Sequence, residues 1–336
     1  LAAIQNEPGD PSMPTRRQVV TAVAAGVGLA LAGGGLAIAS AFGAAIADAR
    51  KRISSYNSIV IQSRFGALEY AVAGSGRPFL MIHGTGGGVD QGLAFAARLV
   101  GLGYQVVAPS RFGYLRSSFP GDPSSENQAD AFVDLLDHLG IDRLPVAGGS
   151  AGALSAMQFA IRHPERCSAL LPIVPAAYAP ERAAPEPLSP MQSYIIETVL
   201  RSDFLFWTML RTMADQMIAT LLATDPALVR TASPDEQKRA HEILWDILPV
   251  SDRYNGLLND AKLAGYPEQM DLAAIRAPTL TISLEDDHFG TVHAARYLAA
   301  KVPSAKLIVY PKGGHVWIGH DEELWASADA FVRGLG

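Results

Sequence analysis

Ser150 sits in the run Gly148-Gly149-Ser150-Ala151-Gly152. Before it lies the short apolar segment Leu144 to Ala147, and after it Leu154, Met157, Phe159 and Ala160 recur at helical spacing. A strand that turns straight into a helix is crowded at the bend from both sides. Small residues two before and two after Ser150 let the two elements approach and leave the serine hydroxyl standing at the turn, in strained geometry if need be. A hydroxyl placed that way can attack an electrophilic carbon, but it is scarcely ionised at neutral pH and needs a base. A Gly/Ser loop that merely joins two elements has the same composition, so the partners of Ser150 must decide.

Of the eight histidines, His315 is set apart by a glycine-flanked loop, "PKGGHVW", just beyond the apolar run "KLIVY". His320 follows closely but reads as the start of a C-terminal helix. His288 and His293 lie beside an acidic cluster, and His138, His163 and His241 fall on helical patterns. A histidine base needs a carboxylate to hold its tautomer. "TISLEDDHFG" offers three, Glu285, Asp286 and Asp287, directly after a strand. Asp287 and Asp286 are the two candidates among them. A further glycine cluster, "HGTGGG" at His83 to Gly88, follows the apolar run Phe79 to Ile82; its backbone can turn N–H groups toward a developing oxyanion. It is neither a dinucleotide fingerprint, since Val89 takes the last glycine position, nor a phosphate loop, since no Gly-Lys-Ser/Thr ending follows.

These groups need a scaffold. "SIVIQSRFGALEYAVAGSGRPFLMIHG" reads as two strands joined near Gly66, a turn at "GSGRP" and a third strand; "YQVVAPS", "LPVAG", "SALLPIV", "PTLTISL" and "KLIVY" supply five more. Helical patterns lie between them at 90–102, 126–139, 151–162, 291–301 and 322–333. The alternation predicts an α/β fold, a mostly parallel sheet flanked by helices, with the first two strands forming an antiparallel edge. It breaks between 176 and 270, where the proline-rich "YAPERAAPEPLSP" leads into helical stretches rich in aromatics and methionine.

Elbow, glycine loop, acid and histidine thus occur in the order Ser, Asp, His, and over residues 55 to 336 the chain resembles the α/β-hydrolase superfamily, of the capped, serine-nucleophile, esterase-like kind. "APSRFGYLRSS" is similar to the family's loop after the fourth strand, with Ser110 in place of an aspartate and Leu115 in place of a glycine. The resemblance implies a core at 54–175 and 271–336 and a helical cap at 176–270. It implies Ser150 as nucleophile, His315 as general base, Asp287 as its orienting acid, and the backbone N–H groups of Thr85 and Ala151 as the oxyanion hole. Serine at 150 argues against the aspartate-nucleophile dehalogenases and epoxide hydrolases of that superfamily. No metal or organic cofactor is required by such a mechanism. An apolar cap suggests a hydrophobic small-molecule substrate, with Tyr194, Phe204, Phe206 and Trp207 as pocket candidates; most cap aromatics will simply pack a core. A carboxylic ester cleaved through an acyl-enzyme is the first expectation. A C–C bond hydrolase or lactonase would use the same residues, and a membrane-tethered ligand sensor would bind without steady turnover.

The bulk numbers narrow the field. With 18% charged residues, net charge −6 and no long basic run in its body, the chain is not expected to bind nucleic acid. A single cysteine, Cys167, excludes an intrachain disulfide framework. From Val19 to Ala47 no residue is charged; as a helix this run would span roughly 43 Å, enough for a bilayer. Arg16 and Arg17 precede it, similar to a twin-arginine export signal, and Ala47 and Ala49 could form a cleavage site. Residues 1–53 are therefore expected to be an export signal or a membrane anchor, with the catalytic part exported to the periplasm or anchored; a buried helix is the plain alternative.

Overall fold

The computed structural model describes residues 35–183 and 186–335. Eight strands form a single sheet in the order β1-β2-β4-β3-β5-β6-β7-β8. They are β1 Ile59–Ser63, β2 Gly66–Ala73, β3 Arg77–Ile82, β4 Tyr104–Pro109, β5 Leu144–Gly149, β6 Cys167–Ile173, β7 Leu280–Leu284 and β8 Lys306–Tyr310. The pairs β1–β2 and β2–β4 are antiparallel and the rest parallel, so the expected fold with its antiparallel edge is borne out. Helices cover both faces of the sheet. Phe79 and Met81 belong to one core and Leu80 and Ile82 to the other, as the two-residue period of a strand requires. Cys167 lies buried in β6, where burial pushes its thiol up to about 12, which suits a core residue and not a nucleophile.

The strand order has a consequence for chemistry. From β3 the chain crosses to β4 on one side and then returns to β5 on the other, so Leu80 pairs with Val107 and with Val146. The chain reverses direction about β3, and the loops leaving β3 and β5 emerge side by side at the strands' carboxyl ends, where open α/β sheets bind their ligands.

Between β6 and β7 the chain leaves the sheet for a run of short helices: Pro190–Leu200, Asp203–Thr212, Ala214–Leu221, Pro226–Thr231, Pro234–Trp245 and Tyr254–Leu263. Their starts are written in the sequence. Ser189, Ser202, Asp225 and Ser233 each accept a backbone N–H as N-caps, and Pro190, Pro226 and Pro234 occupy first-turn positions.

Of the uncharged run 19–47, residues 19–34 lie outside the described residues. The remainder opens a helix, Gly35–Ser55, which is no bare apolar rod. Ile38, Phe42, Ala45, Ile46 and Ala49 recur at helical spacing and pack against the core. Phe42 meets Phe204 and Trp207 edge-on at centroid distances of 5.3 and 5.7 Å. Among the described residues, no helix is long and apolar enough to cross a membrane.

Candidate active site

The turn after β5 is built as the glycines suggest. Ser150 has φ +51°, and its backbone N–H is held by the carbonyl of Ile173 at 2.9 Å. A Cβ on Gly148 would stand 2.6 Å from the carbonyl oxygen of Gly152; one on Gly152 would meet the carbonyls of Ile82 and His83 at 2.6 and 2.4 Å. Strand, helix and the neighbouring β3 loop are in backbone contact there, leaving room for hydrogen alone. Gly152→Ala should therefore shift the elbow and destabilise the protein by about 1–3 kcal/mol. A thermal melt checks this, and an unchanged midpoint would contradict it.

The structure brings Ser150, His315 and Asp287 together. Ser150 Oγ lies 2.8 Å from His315 Nε2, and His315 Nδ1 lies 2.8 Å from Asp287 Oδ2. Ser150 is half-buried, whereas His315 and Asp287 are buried. Asp287 is further held by the Thr291 hydroxyl, which donates to Oδ2, and by the Phe289 N–H, which donates to Oδ1 at 2.8 Å. Burial alone would raise the Asp287 carboxyl, but the charge and hydrogen bond of His315, with the Thr291 and Phe289 bonds, hold it below the ordinary carboxylate range. An ionised Asp287 fixes the proton on Nδ1 and leaves Nε2 to accept from the serine. The ring of Phe289 stands edge-on to His315 at 4.9 Å.

The neighbours take other posts. Asp286 accepts the N–H groups of Gly313 and Gly314 at 3.1 and 2.8 Å, shaping the loop that carries His315. His320 stacks on Tyr310 at 4.1 Å, at the start of the C-terminal helix.

The β3 loop runs beside the serine: a Cβ on Gly84 would lie 3.2 Å from Ser150 Cβ. Gly84 N–H donates to Gln91 Oε1 at 2.8 Å and Gly86 N–H to the Tyr114 hydroxyl at 3.3 Å. Thr85, between them, is exposed, and neither its N–H nor that of Ala151 donates to another described residue. His83 is structural. The Arg111 N–H donates to its Nε2 at 2.9 Å, so the proton sits on Nδ1, which donates to Gly84 O at 2.7 Å. Burial first, then the charge of Arg111, keep this ring neutral, its pKa far below the usual histidine value.

Several residues of this region were not legible in the sequence. Arg111 pairs bidentately with Asp260, which also accepts from Tyr114, so the loop after β4 is tied to a cap helix. Asp90, behind the glycine loop, pairs with Arg253 of the cap; burial opposes its ionisation, but the arginines bring its carboxyl down to about 2. Thr224, also from the cap, accepts the His315 N–H at 3.0 Å. Leu115, which stands where the superfamily loop has glycine, adopts φ +49° and donates its N–H to Asp252 O in the cap at 2.8 Å. Ser110, in place of the family aspartate, donates to Glu69 and accepts the Val89 N–H.

The four aromatic pocket candidates fare differently. Tyr194 is 69% exposed on the first cap helix and is no part of an enclosed pocket, because that helix face looks outward. Phe204 and Trp207 meet each other and Phe42 of the N-terminal helix, and Phe206 is buried in the same core. Ile247, which no sequence pattern marked, sits within reach of Gly86 in the loop. Among the described residues no group of three or more His, Cys, Asp or Glu is placed to hold a metal ion.

Known proteins share this fold. Residues 77–319 match the family model for the alpha/beta hydrolase fold. The chain is 27% identical over 268 residues to a 2-hydroxy-6-oxo-6-phenylhexa-2,4-dienoate hydrolase of Burkholderia cepacia, covering 78% of this chain and 87% of that protein. Among solved structures, an alpha/beta hydrolase fold protein from Nakamurella multipartita superposes with a TM-score of 0.69 at 24% identity, over 83% of this chain and all of that one. The naproxen esterase of Bacillus subtilis gives 0.57 at 20% identity, over 88% and 98%.

Proposed function

The chain belongs to the α/β-hydrolase family, and from that premise we propose that it is a serine hydrolase cleaving a carboxylic ester of a hydrophobic small molecule. The observation that carries this reading is the hydrogen-bonded chain Ser150–His315–Asp287 at a strained turn, with the backbone N–H groups of Thr85 and Ala151 donating to no other described residue. In the proposed reaction His315 Nε2 takes the Ser150 proton as Oγ attacks the ester carbonyl. The N–H groups of Thr85 and Ala151 stabilise the oxyanion, a contribution of about 2.7–4 kcal/mol per donor in such sites. His315 then returns the proton to the leaving alcohol. Water, deprotonated by the same nitrogen, releases the acid from Ser150. Phe289 against His315 and Ile247 beside the loop support an apolar substrate, since they keep water from the reacting atoms.

Cleavage of a carbon–carbon bond is the second reading. The Burkholderia relative is named for a dienoate that contains no ester, so its hydrolysis must break a C–C bond. A panel of p-nitrophenyl esters of increasing acyl length, run beside a 2-hydroxy-6-oxo-dienoate, separates the two. The ester reading expects turnover rising with chain length and little dienoate cleavage; the opposite ranking overturns it in favour of the second.

We also propose that the catalytic part works outside the cytoplasm, attached to the membrane or released from it. The paired Arg16 and Arg17 before an uncharged run support this. Fractionating cells that express the full chain, then sequencing the protein's N-terminus, tests it. A wholly cytosolic protein with residues 19–47 intact would contradict it.

A further inference from the structure

We infer that the N-terminal helix Gly35–Ser55 is a working part of the hydrolytic site, with Arg52 acting beside Arg253 as a positioning residue for the Gly84–Gly88 loop through Asp90. The inference rests on reading that loop as the oxyanion-stabilising one. Asp90 is the second residue of the helix Val89–Phe95 that leaves the loop, and it is fully buried. Its Oδ2 accepts from Arg253 Nη2 at 2.6 Å and from Arg52 Nη1 at 2.7 Å; its Oδ1 accepts from Arg253 Nη1 at 3.2 Å and from the Gln91 N–H at 2.9 Å. Arg253 Nη1 also donates to the carbonyl of Gly87, within the loop itself. Gln91, the next residue, takes the Gly84 N–H. One cluster thus holds both ends of the stretch that presents Thr85.

Arg52 ties this cluster to the cap. Its Nε contacts Asp246 Oδ1 at 2.9 Å, and its Nη2 donates to the carbonyls of Asp246 and Leu248 at 3.1 and 3.2 Å. Two guanidinium groups therefore face two carboxylates, a balanced set in a place where an unpaired charge is costly. The helix is kept in register by Phe42 on Phe204 and Trp207 and by Ile38, Ala45, Ile46 and Ala49 against the core. Cleavage at Ala47 or Ala49 would remove most of that packing and leave Arg52 near a free end. The active form accordingly retains residues 35–55, a constraint on any export signal.

The test uses the full chain with Arg52→Met, Arg52→Lys and, as a control on the same helix, Arg50→Met. Three quantities are read: the rate at which a fluorophosphonate labels Ser150, kcat and KM on an ester, and the melting midpoint. Arg52→Met should slow labelling and lower kcat together by about tenfold, with KM within about twofold, since a small misplacement of an oxyanion donor costs transition-state binding most. Arg52→Lys should recover most of the labelling rate, and Arg50→Met should match wild type. Should Arg52→Met prove insoluble, Asp246→Asn loosens the same link from the cap side and should slow labelling by about twofold or more. Labelling at the wild-type rate in the soluble variant, or a lowered melting midpoint with no change in labelling, overturns the inference while leaving the serine hydrolase reading intact. A wild-type protein not labelled at Ser150 overturns that reading, and this inference with it.

Discussion

Ser150→Ala is expected to abolish hydrolysis, lowering kcat by about 10⁴-fold or more, because no other group in the site can form the covalent intermediate. The fold should survive. The replacement is smaller, the Ser150 N–H still reaches Ile173 O, and the hydroxyl is held by His315 Nε2 as its side-chain partner. Circular dichroism and the melting midpoint should match wild type within a few degrees while ester turnover falls to background. A folded mutant with substantial turnover would contradict the assignment of the nucleophile.

Asp287→Asn should come next in severity, with a loss of about 10⁴-fold in kcat. The amide can still accept the Phe289 N–H, so the loop keeps its shape, but an NH2 turned toward His315 Nδ1 favours the tautomer whose Nε2 carries the proton. That nitrogen can no longer accept from Ser150. Asp286→Asn should cost less than about tenfold: the amide keeps an oxygen for only one of the Gly313 and Gly314 N–H groups, which loosens the loop, but the side chain it replaces has no hydrogen bond to the imidazole. Steady-state kinetics on one ester rank the two, and the reverse order would move the acid by one residue.

The strands and the three hydrogen-bonded side chains of the candidate site were legible for the same reason: chemistry restricts them to few residue types in a few places. Buried parallel strands must be apolar runs, and a serine at a backbone-on-backbone turn must have small neighbours, as Gly148 and Gly152 show. The supports were not legible. Arg253 and Asp90 lie 163 positions apart, and nothing local to either marks a partner; only the folded cap brings them together. Thr224 reads as one more threonine in a helical region until its hydroxyl is seen against the His315 N–H. Cap aromatics mislead for a related reason. Composition reports that Tyr194 and Trp207 are apolar and large, but not which helix face points inward, and here one is exposed while the other packs on Phe42. The N-terminal run hides its pattern because alanine and glycine surround the bulky positions. Ile38, Phe42 and Ile46, spaced by four, were the trace of a packed face within a stretch otherwise read for its lack of charge.

The central claim is that Ser150 is the group that becomes acylated, and trapping the adduct tests it most directly. The full-length protein is reacted with a fluorophosphonate, its intact mass measured and the modified peptide sequenced by mass spectrometry. The account predicts one phosphonyl group per chain, located on Ser150, with none on the Ser150→Ala protein. An adduct on another residue, or none under conditions that label a known serine hydrolase, would contradict it.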